Sequence, residues 1–259
     1  MGDFMFSWNS EQYLKFKKQR TRPSIDLAAS ISIENPRNII DIGCGPGNST
    51  EVLQKRFPNA NIVGIDSSQD MIAKAKSQHS GIEFTCCDVN ELFGKGNKYD
   101  VVFSNACIQW IPDHKTLLKN LMTLLKDDGV LAVQVPYNFN QPIHRIISSI
   151  SSSEKWKNCF DNPRKQFLLN ESEYYDLLAE ISSDFEMWLT TYYHRMKSHN
   201  DIIEWYRGTG LRPYLEQLQG DKKIEFESEV AEQVRLAYPK QKNGDIIFRF
   251  PRLFFTATK

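Results

Sequence analysis

Glycine and proline are scarce, at 13 and 11 of 259 residues, which excludes collagen-like and low-complexity chains. Neither sign of charge is in excess. Lys plus Arg and Asp plus Glu number 32 each, so no global field favours nucleic acid or an anionic membrane, although a local basic pocket is still allowed. No apolar run approaches the roughly 18 residues that a bilayer span needs. Met1 to Asn9 carries an acid and no base, so no secretory signal is expected there. Five cysteines, an odd number that includes the adjacent pair Cys86 and Cys87, make a poor disulfide framework, and reduced thiols in a cytoplasm are expected. The five histidines are scattered, with His194 and His199 the nearest pair and no HExxH or comparable set, so no metal site is expected. What is present is ordinary for a globular chain: 41% hydrophobic, 25% charged and 12% aromatic residues.

The first half alternates short apolar runs with helical patterns. Asn38–Gly43 reads as a buried strand entering a glycine turn, followed by a helix over Ser49–Phe57 that Pro58 ends. Asn61–Asp66, Ile82–Cys86, Tyr99–Ser104 and Val130–Val135 read as further strands. Ser67 or Ser68 caps a helix carrying Met71, Ile72 and Ala75, and a helix over Asp113–Lys126, stopped by Gly129, aligns Leu117, Leu118, Leu121, Leu124 and Leu125. Such alternation implies an α/β chain built on a parallel sheet with helices on both faces. After Pro136 the pattern is irregularly helical over 140–182, extended over Phe185–Met196, helical over His199–Tyr206 and Arg212–Tyr238, and extended again over Ile246–Thr258. A single domain is expected, 1–259, with a helical N-terminal segment near 8–30, a ligand-binding core near 36–136 and a helical lid near 198–240 inserted before the last strand.

The strongest chemical signal is Asp41-Ile42-Gly43-Cys44-Gly45-Pro46-Gly47-Asn48, at the turn from the first strand into the first helix, a position used to hold nucleotide-like ligands. Its spacing is GxGxG. It is neither the dinucleotide GxGxxG nor a P-loop, which would end in Lys-Ser/Thr. Asp66 ends the second strand, where a carboxylate can accept both hydrogen bonds of a ribose diol; Asp88 follows the third and can accept from an exocyclic amine; Asn105 ends the fourth. Each acid taken alone also reads as a solvated loop carboxylate or helix cap. Together they line the carboxyl edge of the sheet. An acid at the glycine turn disfavours a phosphate and suits S-adenosylmethionine, which carries an ammonium and a sulfonium.

Through Asp41–Gly47, Asp66, Asp88 and Asn105 the chain resembles the class I S-adenosylmethionine-dependent methyltransferases. The resemblance implies a Rossmann-like, mostly parallel seven-stranded sheet. It also implies that the loop holds the methionine part of the cofactor, the second acid its ribose, and the third acid or its neighbours its adenine. The candidate cofactor residues are Asp41, Gly43, Cys44, Gly45 and Asn48 at the loop; Asp66, Ser67 and Met71 at the second strand; and Asp88, Val89, Asn105, Ala106 and Trp110 beyond. Met71 serves equally well as a helix core residue. Trp8, Tyr13 and Trp110 could close over the cofactor or simply pack.

A narrower similarity, to the trans-aconitate 2-methyltransferase subgroup, rests on Trp8-Asn9 with Tyr13, Phe16, Arg20 and Arg22-Pro23; on Asn105-Ala106 with Gln109–His114; and on Thr190–His194, Ser198-His199, Thr209–Pro213 and Phe250–Phe254. Arg195, Lys197 and Tyr137 depart from the subgroup, and 148–165 shows no useful similarity. The resemblance implies transfer of a methyl group to a carboxylate oxygen of a small acid, trans-aconitate first, giving a monomethyl ester. A carboxylate with a pKa near ~4 is already an anionic nucleophile at neutral pH, so no catalytic base is implied. Positioning falls to Arg212 and Arg252, with Tyr193 and His194, and then Arg22, Arg195 and Tyr192. A monomer acting without nucleic acid or membrane is expected. The alternatives are a methyltransferase for another small acid or for a malonyl-carrier protein, and a non-catalytic S-adenosylmethionine-binding protein.

Overall fold

The computed structural model describes residues 17–96, 98–161 and 165–259. Five strands pair in parallel: β1 (Asn38–Ile42), β2 (Asn61–Asp66), β3 (Glu83–Cys86), β4 (Tyr99–Asn105) and β5 (Leu125–Pro136). β7 (Ile246–Thr258) runs antiparallel between β5 and β6 (Asp184–Met196), completing the order β3-β2-β1-β4-β5-β7-β6. This is the seven-stranded, mostly parallel sheet expected. The strand order reverses between β1 and β4, and that is where open α/β sheets carry their crevice.

Both faces of the sheet are covered, which is why β1 reads as an unbroken apolar run around Asp41. Successive side chains point to opposite faces. Ile40 and Ile42 therefore join Leu117, Leu118 and Leu177 from α4 (His114–Thr123) and α6 (Glu171–Ile181), whereas Ile39 joins Leu27 and Leu53 from α1 (Lys17–Ala29) and α2 (Asn48–Arg56). α3 (Gln69–Gln78) starts at Ser68, whose hydroxyl accepts the Met71 N–H at 3.4 Å.

Two elements differ from the sequence reading. α4 stops at Thr123 with Leu124 as its cap, and Leu125 opens β5 opposite Tyr99, whose N–H donates to the Leu124 carbonyl at 2.9 Å. The long helix read over 212–238 divides at Gly220, which holds φ +53°. Residues between β6 and β7 form α7 (His199–Arg207), α8 (Arg212–Leu215) and α9 (Gly220–Ala237). With α5 (Pro142–Ser151) these bury a second core around Trp156, Trp205, Phe226 and Phe248. Met196 at the end of β6 pairs with Ile246 at the start of β7, so this helical unit stands over the same sheet edge as the glycine turn.

At the opposite end of the sheet, Asp100 near the start of β4 ties together the starts of β1 and β5. Its Oδ2 accepts the Asn38 and Arg37 N–H groups at 2.7 and 2.9 Å, and Lys126 Nζ lies 2.9 Å from both oxygens. Burial alone would raise its pKa, but these hydrogen bonds outweigh it and hold the carboxyl below its usual range. Asp100→Ala is expected to cost about 1–2 kcal/mol in urea unfolding at neutral pH. A carboxyl with a depressed folded pKa contributes stability above its unfolded value and loses it as pH falls through the folded one. The gap between parent and variant should therefore close below about pH 4; an equal gap at neutral and acid pH would refute the role.

Candidate active site

The glycine turn is built from below. Asp41 is 0% exposed, and its Oδ2 accepts both Ser49 Oγ and Thr50 Oγ1 at 2.7 Å, fastening the first turn of α2 to β1. Burial pushes its pKa up to about 6, with the two hydroxyls working against the rise and the nearby Asp66 charge adding to it. Above that fastening the chain must turn sharply. Gly43 holds φ +71°, and a Cβ there would stand 2.1 Å from Cys107 Sγ. Gly45 holds φ +54° with open space where a Cβ would project, so a ligand can approach the main chain. The Gly43 and Cys44 N–H groups donate to the Ile65 carbonyl at 2.8 and 2.9 Å, closing the turn against β2.

A cavity of about 300 Å³ opens over this turn at the carboxyl edge of the sheet. Every candidate cofactor residue lines it except Asp41, which lies beneath the turn and acts on the site through its charge and its hold on α2. Asp66 reaches it from β2, with Oδ2 accepting the Gly45 N–H at 3.0 Å and Oδ1 the Ser68 N–H at 2.9 Å. Each carboxylate oxygen can accept more than one hydrogen bond, as a diol requires. Asp88 lies at the rim, capping a short 3-10 turn by accepting the Asn90 N–H at 2.8 Å. Asp66 and Asp88 are the charged residues in the lining, and no basic side chain among the described residues joins them. Such a cavity favours a cation.

A second cavity, of about 90 Å³, abuts the first along Asn105, Ala106 and Trp110. Its character is opposite. Arg252 is the one charged side chain among the described residues of its lining, only 4% exposed, with Nη1 donating to Gln134 Oε1 at 3.1 Å and the guanidinium 4.6 Å from the Phe250 ring centre. Neutral polar groups complete the wall: Gln109, Asn138, His144, Gln166, Tyr206 and Thr209. Buried Asn105 Oδ1, Gln109 Oε1 and Gln134 Nε2 have no hydrogen-bond partner among the described residues. Asn105 and Gln109 belong to the lining, and unmet polar atoms there mark where a polar ligand would be held.

The segment between the cavities is held by a residue that the sequence reading mentioned only in passing. His114 Nε2 lies 2.9 Å from the Ile108 carbonyl, and its Nδ1 lies 2.6 Å from Tyr174 Oη. The 3-10 turn Ile108–Trp110 is thereby clamped to α6, with the imidazole kept neutral chiefly by burial. Gln109 likewise entered only within the family similarity, and His144 and Tyr206 carried no signal in the sequence. The motifs lie at strand ends, whereas these three side chains arrive from a 3-10 turn, α5 and α7.

Four of the expected positioning residues separate. Arg252 lines the second cavity. His194 lies behind it, buried and stacked 5.0 Å from Trp205; burial, aided by the Arg252 charge, lowers its pKa to about 4. Tyr193 points the other way. It is 64% exposed and lies under Arg249, because adjacent strand residues face opposite sides of the sheet. Arg212 lines neither cavity; its Nε donates to Glu216 at 2.6 Å. Arg22 and Tyr192 both engage Asp26, at 2.8 and 2.6 Å. The departures Arg195 and Lys197 pair with Asp245 on the surface, and Tyr137 Oη donates to the Leu169 carbonyl. Trp8, Tyr13, Phe16 and the Arg20 side chain lie outside the described residues. No cluster of three or more His, Cys, Asp or Glu suited to a metal occurs among the described residues.

Comparison with known proteins agrees with this geometry. Residues 39–129 match a methyltransferase domain family. The YcgJ protein from Bacillus subtilis shares the fold, with a TM-score of 0.61, 14% identity, and coverage of 92% of this chain and 98% of that one. Trans-aconitate 2-methyltransferases from Enterobacter sp. (strain 638) and Escherichia coli (strain K12 / DH10B) are each 40% identical over 255 residues, covering 98% of this chain and 99% of theirs. The match therefore runs through the helical unit as well as the core, and the chain belongs to the trans-aconitate 2-methyltransferase family of class I S-adenosylmethionine-dependent methyltransferases.

Proposed function

We propose that this chain transfers a methyl group from S-adenosylmethionine to a carboxylate of trans-aconitate, forming a monomethyl ester. The observation that carries the reading is the meeting of two oppositely lined cavities at Asn105 and Ala106: acids on one side, a buried guanidinium on the other. The cofactor fits the first. Its lining is acidic, Gly45 leaves the main chain open to close approach, and the Asp66 carboxylate lies in the wall that would face a ribose.

When bound, S-adenosylmethionine supplies an electrophilic methyl group on a sulfonium. The protein's part is placement. Asp66, Asp88 and the glycine turn hold the cofactor, and Asp41 beneath adds negative potential when ionised. Arg252, steadied by Gln134, holds a carboxylate that does not react, so that another faces Asn105. Gln134 and Phe250 fix the guanidinium before substrate arrives, and preorganised placement of this kind supplies several kcal/mol of barrier lowering. No side chain has to remove a proton, because the attacking oxygen is already anionic. Residues 198–240 act as a lid whose α7 wall closes the second cavity and excludes water. The chain works as a cytoplasmic monomer on a small acid, without nucleic acid or membrane. Its five cysteines are free thiols, its formal charge is zero, and no described helix is long and apolar enough to cross a membrane.

Asp66→Ala is expected to weaken S-adenosylmethionine binding more than about tenfold by calorimetry, since a charged acceptor is lost; unchanged affinity would remove Asp66 from the ribose role. Arg252→Ala should raise KM for trans-aconitate by about 30-fold or more while cofactor affinity holds, with Arg252→Lys a poor replacement. Arg212→Ala should move KM by less than about threefold, because Arg212 pairs with Glu216 and lines neither cavity. Equal effects of the two alanine variants would reverse this assignment. Because Asp41 titrates near 6 in the unliganded protein and a cation favours its ionised form, S-adenosylmethionine affinity should fall as pH drops from about 7.5 to about 5. Asp41→Asn should flatten that profile, and an identical slope in parent and variant would clear Asp41 of it.

A further inference from the structure

Three neutral side chains in the second cavity form a hydrogen-bonded chain across three segments: Asn138 just after β5, His144 in the first turn of α5, and Tyr206 in α7. Asn138 Nδ2 donates to Tyr206 Oη at 3.1 Å, and the same Oη lies 3.0 Å from His144 Nε2. A hydroxyl has one proton to give. With Asn138 supplying a hydrogen to Oη, the Tyr206 proton goes to His144 Nε2. Burial pushes the Tyr206 hydroxyl well above the usual phenol range and lowers the His144 pKa to about 4, so both groups are neutral near pH 7. A neutral imidazole with Nε2 accepting carries its single proton on Nδ1. No described residue partners Nδ1, and the ring lies in the cavity wall.

The packing holds this arrangement in one geometry. The His144 and Tyr206 rings meet edge-on at 5.2 Å and 75°. Gly210 closes over them, where a Cβ would stand 2.7 Å from Tyr206 Cδ1. Arg252 shares the lining and lies close enough for its charge to act on Tyr206.

We propose that the Asn138–Tyr206–His144 chain fixes His144 as a neutral donor whose Nδ1–H binds a substrate carboxylate beside Arg252. The proposal rests on the carboxylate-methylation reading above and deepens it. An imidazole held this way has no lone pair facing the cavity, so it cannot take a proton from a substrate hydroxyl or amine. Acceptors that arrive already ionised are thereby favoured over those that need deprotonation. His144 is a binding residue, and Tyr206 and Asn138 are positioning residues that act through it.

The test begins with the full-length chain carrying 15N-labelled histidine, saturated with S-adenosylhomocysteine. Long-range 1H–15N spectra should show His144 protonated at Nδ1 near pH 7, and Tyr206→Phe should mix the two tautomers. Addition of trans-aconitate should shift the Nδ1 resonance. His144→Ala should raise KM for trans-aconitate about tenfold, the loss expected for one hydrogen bond to a charged group, with cofactor affinity unchanged. His144→Asn, whose amide nitrogen takes the place of Nδ1, should recover most of it, whereas His144→Gln should not. A proton found on Nε2, or an unchanged KM in a folded His144→Ala, overturns the proposal. The tautomer is read without substrate, so an Nδ1 proton in a chain that fails to methylate trans-aconitate supports the donor and overturns the substrate reading instead.

Discussion

The carboxylate of Asp41, buried under the glycine turn and satisfied by Ser49 and Thr50, is the contact on which the site depends. It joins the last turn of a strand to the first turn of a helix, and so sets how tightly the chain between them must bend. That bend forces left-handed backbone at Gly43 and Gly45. It also carries the Gly45 N–H to Asp66, so the acid that ends β2 is oriented by the turn it faces. A buried carboxylate with two short hydroxyl contacts and a raised pKa stores sensitivity to charge: a cation above it is rewarded, an anion is not.

Charge division explains the rest of the architecture. The first cavity gathers acids because β2 ends in Asp66 and Asp88 follows β3 by two residues, at an edge where ligands of open α/β sheets bind. The second gathers neutral donors around one guanidinium because it is walled by β7 and by helices with their own apolar core. His144 in that wall and His194 behind it are desolvated and lose their protons, so among the described lining residues Arg252 carries the charge. Opposite reactants drawn from water into adjoining cavities compensate each other at the boundary, which lowers what closure costs.

The sheet and the first cavity were legible in the sequence because both obey local rules. Apolar runs of strand length, a GxGxG turn and acids at strand ends are patterns within a few residues of one another. The second cavity obeys no such rule. Arg252 lies on β7 and meets Gln134 across 118 residues, whereas Arg212, in an equally suggestive Gly-Leu-Arg-Pro turn, pairs with Glu216 one helical turn away and lines neither cavity. Tyr193 and His194 were both expected to position substrate, but adjacent strand residues face opposite sides of the sheet, which leaves His194 buried and Tyr193 exposed. His144 carries no motif at all. Its role comes from Tyr206, 62 residues on, and from the missing side chain at Gly210.

Ala106 links the two cavities mechanically. It holds φ +56°, a left-handed conformation that costs a residue with a Cβ about 1–3 kcal/mol unless its surroundings impose it. Here they do. The Ala106 N–H donates to the Gln134 carbonyl at 2.8 Å, and the Ala106 carbonyl accepts Gln109 Nε2 at 2.8 Å. The kink leaves Asn105 in the wall of both cavities and turns the chain into the 3-10 segment bearing Trp110. Gln134 therefore holds the junction with its main chain and Arg252 with its side chain. A shift at either end passes through one residue of a central strand, so the distance between a bound methyl donor and an anchored acid is set by the rigid sheet rather than by the loops around it.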